Sequence, residues 1–117
     1  MNTFIKKYYP LLFGLLFLII AFFTLLYISI FQNGNHIVYS LDDAYIHMAM
    51  AKNYALHGVW GVSKYEFASS SSSILWTSLL ALIYFIFGVN EFIPLVLNLI
   101  FASLVIISSY FILRKYN

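Results

Sequence analysis

The chain has 117 residues, of which 63% are hydrophobic and only 9% charged, with a formal net charge of +2. Soluble domains carry about 25% charged residues, so a single-core soluble protein of this length could not hide this much apolar surface, and the excess must face lipid or other helices. The small charge and the lack of a dense basic patch exclude nucleic acid as a partner; the absence of cysteine excludes disulfides, thiolate metal sites and cysteine nucleophiles.

The first element is a continuous apolar body from Pro10 to about Phe31, preceded by Lys6-Lys7. A membrane-crossing helix needs about 20 such residues, and proline is tolerated in a first helical turn. Gln32-Asn33-Gly34-Asn35 then stops the helix, because Gly and Asn favour turns. The alternative is a signal peptide, whose apolar core runs about 7–15 residues and ends at small residues. This core is longer, and Tyr27 to Phe31 are bulky, so the segment reads as an uncleaved anchor.

Polar chemistry is concentrated in the next stretch, about 32–68. Five of the ten charged residues and all three histidines (His36, His47, His57) lie there. Ala, Met and Leu predict a short helix from about Asp42 to Leu56, with Ser40 or Asp42 able to cap its start and Gly58 closing it. Asp43 and His47 are four apart and share a face, with Tyr54 on roughly the same side; Ala44, Met48, Ala51 and Ala55 form an apolar stripe for packing. Adjacent carboxylates beside a bilayer are costly, which makes Asp42 and Asp43 functional candidates. Capping and the helix dipole explain one acidic residue without any function. His47 can join Asp43 at a metal or hydrogen-bond a substrate phosphate, against the bland reading of an interface histidine. His36 and His57 have no partner in the sequence; Tyr45, Tyr54 and Trp60 suit the headgroup level, and Lys52 a solvated surface.

Ser69 to Ser73 open the second apolar span, about 69–88. Ser71, Ser72 and Ser73 can offer hydroxyls and free N–H groups to an anion; a flexible serine-rich linker is the alternative. The strongly apolar part, Ile74 to Phe87, is short for a crossing unless the serines form its first turn or it stops at interface depth. The third span, about 92–113, runs between Glu91 and Arg114-Lys115, and its Asn98, Ser103, Ser108 and Ser109 can bond to neighbouring helices. The expected fold is an all-α membrane protein of about three transmembrane helices, with a short amphipathic helix in the first external loop. Lys6-Lys7 place the N-terminus in the cytoplasm and the Asp42-Asp43 loop outside. Three crossings would put Arg114-Lys115 outside, against the same rule, leaving a re-entrant second span or a short-loop exception.

Three stretches together carry a resemblance. Asp42-Asp43-Ala44-Tyr45-Ile46-His47-Met48-Ala49-Met50-Ala51-Lys52-Asn53, then His57-Gly58-Val59-Trp60-Gly61, then Glu66-Phe67-Ala68 with Ser69 to Ser73 and Ile74-Leu75-Trp76-Thr77, resemble the first external loop of GT-C membrane glycosyltransferases, the group that includes protein mannosyltransferases and arabinofuranosyltransferases. The likeness covers about 41–82; Ile74 stands where such proteins often have proline. It implies sugar transfer from a polyprenyl-phosphate donor to an acceptor outside the cytoplasm, in the cell membrane. Asp42 or Asp43 would be the general base toward the acceptor hydroxyl, or Asp43 a ligand of a divalent metal; His47, Ser71, Ser72 and Ser73 would meet the substrate. Proteins of that group run to several hundred residues, so the resemblance also implies the N-terminal part of a larger module, inactive without the remaining helices or a partner subunit. The competing expectations are a small non-enzymatic membrane protein or partner subunit, and a transporter or channel piece whose carboxylates bind cations.

Overall fold

A computed structural model describes residues 3–116, with the side chains of 7–116. It contains four helices and, among the described residues, no strand: α1 (Thr3–Gln32), α2 (Asp42–His57), α3 (Ile74–Phe87) and α4 (Ile93–Tyr116). The chain divides into two compact units, one of α1 with the residues to Ile37 and α4 from Val96 on, the other Val38–Leu95.

In the first unit, Lys7–Gln32 and Ile93–Tyr116 are long and apolar enough to cross a membrane, with mean hydropathies of 2.8 and 2.3. α1 starts earlier than expected, so Pro10 lies inside it rather than in a first turn. A proline there removes the helical donor to the carbonyl four residues earlier; separately, the Tyr110 hydroxyl donates to the Lys7 carbonyl. Around that bond the Tyr8 and Tyr110 rings are 6.1 Å apart, and the Arg114 guanidinium lies 5.8 Å from the Tyr8 ring centre. Further along, a Cβ placed on Gly14 would lie 3.4 Å from Ile106. Residues 7, 8 and 14 thus meet 110, 114 and 106, so α1 and α4 run antiparallel with their basic ends together. Gly34 and Asn35, at φ 62° and 66°, end α1 as the Asn-Gly-Asn run predicts, and Asn33 donates from backbone and side chain to the Ser29 carbonyl. Ser103 does not reach a neighbouring helix: its hydroxyl bonds back to the Leu99 carbonyl.

In the second unit α2 packs on α3. The predicted helix forms one residue longer than expected, and Gly58 closes it at φ 67° with its N–H on the Tyr54 carbonyl. The expected Ser40 or Asp42 cap does not form: Leu41 occupies the cap position and no side chain bonds there. α3 starts at Ile74, so the serines are not its first turn. Fourteen residues rise about 21 Å, short of the ~30 Å of a hydrocarbon core. Buried on α2 and α3 are Met50, Ala51, Leu80, Ala81 and Tyr84 with His47, Asn53 and Thr77. The inner face of α2 is therefore centred on His47, Met50 and Ala51. Ala44, Met48 and Ala55 sit half-buried at its edge, because α3 offers the imidazole polar partners.

The loop after α2 is closed on itself. The Ala68 N–H donates to the Trp60 carbonyl at 2.9 Å, and Trp60 packs edge-on against Tyr54, centroids 5.5 Å apart. The buried Asn53 amide donates to the Gly61 and Val62 carbonyls at 2.9 and 2.7 Å. Gly61 is required because a Cβ there would lie 2.2 Å from the Glu66 carbonyl oxygen. Gly61→Ala is expected to lower stability by about 1–3 kcal/mol and to speed hydrogen exchange at the Ala68 amide; unfolding and exchange in detergent, unchanged from the parent chain, would show that the loop is not closed this way.

Candidate functional site

The candidate site is built where the start of α2 meets the serine run before α3. His47 is the one histidine of the three with a buried side chain, 7% exposed. A buried imidazole needs partners for both ring nitrogens, and three hydroxyls supply them. Nδ1 is 2.8 Å from Thr77 Oγ1 and 3.3 Å from Ser71 Oγ; Nε2 is 3.2 Å from Ser72 Oγ. Ser71 Oγ and Thr77 Oγ1 are themselves 2.8 Å apart, and the Ser73 N–H donates to Ser71 Oγ at 3.2 Å. Ser72 also donates to Asp43 Oδ2, at 3.4 Å. The serine run is thus held by side-chain bonds to α2 and α3 rather than behaving as a free linker.

Of the residues singled out from the sequence, Asp43, His47, Ser71 and Ser72 come together. Ser73 contributes its backbone N–H and sits at the cap position of α3. Asp42 and Asp43 are both exposed at the start of α2, where the helix dipole favours negative charge. The Asp42 carboxylate has no hydrogen bond among the described residues. The sequence reading missed Thr77 and Asn53. Thr77 is visible only as the first polar residue one turn inside α3, and Asn53 only as a polar residue six after His47. Tyr54 is exposed and packs with Trp60, away from the hydroxyl cluster. His36, His57 and Lys52 are exposed; Lys52 is solvated as expected, whereas His57, read from the sequence as a loop residue, is the last residue of α2. Where α2 ends, Tyr54, Ala55, Ser78, Ala81, Leu82 and Phe85 line a mainly apolar groove of about 310 Å³.

A second polar contact anchors the segment leading into α2. The Tyr39 hydroxyl donates to the Glu91 carbonyl at 2.6 Å, and the Tyr39 N–H donates to the Tyr45 hydroxyl at 2.9 Å. Tyr45 is therefore a partner for Tyr39, their rings edge-on at 5.8 Å, as well as a surface aromatic. Burial first, then the neighbouring Tyr84, Glu91 and Tyr45, push the Tyr39 phenol from the ordinary 10.0 up to about 12; the Leu95 backbone works the other way. The folded state thus holds this proton more tightly than the unfolded chain does. The stabilisation is intact below pH 10 and lost as pH rises toward 12. Over that window the parent chain should lose stability relative to Tyr39→Phe; parallel pH profiles for the two would contradict this.

No protein-family model matches this chain, and neither a curated protein nor a solved structure matches it.

Proposed function

We propose that this chain is part of a membrane glycosyltransferase, and that its Asp42-Asp43 pair activates the acceptor hydroxyl. The observation that carries the reading is the exposed carboxylate pair at the start of α2, beside a hydroxyl cluster fixed by a buried histidine. One carboxylate takes the acceptor proton, the acceptor oxygen bonds to the anomeric carbon, and the bond from that carbon to the polyprenyl phosphate breaks with its electron pair on the phosphate. The groove at the end of α2 supplies an apolar wall for part of a prenyl chain. Both His47 nitrogens face hydroxyls, so a divalent metal held by Asp43 would draw its other ligands from elsewhere, and no step here is routed through it. The exposed apolar sides of α1 suit lipid, further helices or a partner subunit; in the alternative reading, a small non-enzymatic subunit, they are the whole function.

The topology within this reading has two crossings. α1 and α4 are antiparallel, with Lys7 and Arg114 at the same end. If both cross, the chain leaves and re-enters on one face, and the 14-residue α3 makes no net crossing. This removes the conflict over Arg114-Lys115: all the basic ends lie in the cytoplasm and 33–92 lies outside, as the positive-inside rule asks.

Two experiments test this. The cysteine-free chain allows single-cysteine labelling in intact cells: Asn33→Cys, Ser69→Cys and Asn90→Cys should label from outside, and Asn117→Cys only after permeabilisation. An internal Asn90 with an external Asn117 would restore three crossings. In membranes that hold this chain together with the remaining helices or partner subunit, given a labelled polyprenyl-phosphate sugar, the Asp42→Asn/Asp43→Asn double variant should lose about 10²–10⁴-fold in transfer while remaining membrane-bound. Undiminished transfer in the double variant would remove the catalytic role.

A further inference from the structure

For a neutral imidazole whose Nδ1 pairs with the nearer hydroxyl, the hydrogen bonds around His47 have a self-consistent direction when followed from Asp43. A carboxylate only accepts, so the Ser72 proton points to Asp43 Oδ2. The Ser72 oxygen is then left to accept, and the group facing it is His47 Nε2 at 3.2 Å, which must carry the imidazole proton. Nδ1 of the neutral ring is therefore an acceptor. Thr77, at 2.8 Å, is nearer to it than Ser71 and donates. The Ser71 proton goes to Thr77 Oγ1, and the Ser71 oxygen accepts the Ser73 N–H. Each hydroxyl donates once and accepts once, and the chain runs from the Ser73 backbone to the Asp43 carboxylate.

We propose that His47 is a positioning residue, which through Ser72 orients Asp43 and makes Asp43, rather than Asp42, the working carboxylate. The choice of a working carboxylate rests on the glycosyltransferase reading; the chain of bonds does not. The last link is the longest, at 3.4 Å, beyond the usual O–H···O range, so it biases the carboxylate's orientation while drawing off little of its charge. No other hydrogen bond among the described residues reaches the Asp43 carboxylate, so its second oxygen is open to a substrate hydroxyl. An oriented acceptor with one free oxygen is what proton removal needs. His47 itself, buried with both nitrogens engaged, is not placed to meet substrate.

The test is the tautomer of His47, read by nitrogen-15 NMR on the full chain in detergent micelles, with the His47 signal assigned by its loss in His47→Gln. The parent chain should be predominantly the Nε2–H form. Asp43→Ala frees the Ser72 hydroxyl to donate to Nε2, and should lower the ratio of Nε2–H to Nδ1–H at least several-fold. Ser72→Ala should do the same; Thr77→Val should lower the ratio and Thr77→Ser restore it. Asp42→Ala should leave it unchanged. A parent ring in the Nδ1–H form, or a ratio that neither Asp43→Ala nor Ser72→Ala moves, would reduce His47 to a packing residue and overturn the proposal. In the transfer assay Asp43→Asn should lose at least 100-fold and Asp42→Asn less than tenfold (about 10²–10⁴ being the range for a general base); the reverse order would overturn the assignment of Asp43. An intact bond chain with transfer indifferent to both aspartates would sink the catalytic reading and leave the positioning geometry standing.

Discussion

The hydrogen bonds of His47 set how α2 lies on α3, and the candidate site depends on that register. An imidazole buried without partners would cost about 1–3 kcal/mol, so it can sit on the inner face of α2 only where hydroxyls meet it. Thr77 projects one from α3, and Ser71 and Ser72 bring two more from the segment just before it. The apolar residues on either side of this node, Met50, Ala51, Leu80, Ala81 and Tyr84, are then buried together. Ala51 and Ala81 have nothing beyond Cβ, which permits close approach of the two helices. Apolar contact alone would allow α2 to slide or rotate on α3; the polar node selects one arrangement.

Two further devices hold the ends of α2. At its start, Tyr39 reaches the Glu91 carbonyl and receives support from Tyr45, tying the segment before α2 to the turn before α4. At its end, Asn53 grips two carbonyls of a loop that only glycine at position 61 can close. Both are side-chain bonds to backbone groups, which fixes loops that lack secondary structure of their own. The result is a compact unit that presents the adjacent carboxylates Asp42 and Asp43 at the exposed start of α2. In the other unit, α1 and α4 are joined at their basic ends by a hydroxyl-to-carbonyl bond and a guanidinium over a tyrosine ring.

Much of the helix content was legible because it follows from local rules. Sustained apolar runs announce α1 and α4, and Ala and Met with a closing Gly58 announce α2. The places where the reading slipped are those decided by non-local partners. Apolar character placed the packing face of α2 on Ala44, Met48, Ala51 and Ala55, whereas the buried face includes His47 and Asn53, whose partners lie 30 residues on and across a loop. The serine run carries no periodicity, so nothing local tells a linker from a helical turn or a hydroxyl cluster. The Asp43, His47 and serine grouping was legible as chemistry; Thr77 was not, because its role exists only once α3 lies against α2. Pro10 was misplaced because residues before the apolar body also join the helix.

The central claim is that His47 and Thr77 hold α2 and α3 together as a bonded pair. A double-mutant cycle with His47→Gln and Thr77→Val, followed by unfolding of the full chain in mixed detergent micelles, measures that pairing directly. A coupling of at least about 1 kcal/mol is expected, within the 0.5–3 kcal/mol found for residues in one network. Effects that add to within about 0.3–0.5 kcal/mol would show the two side chains to be independent and would contradict it.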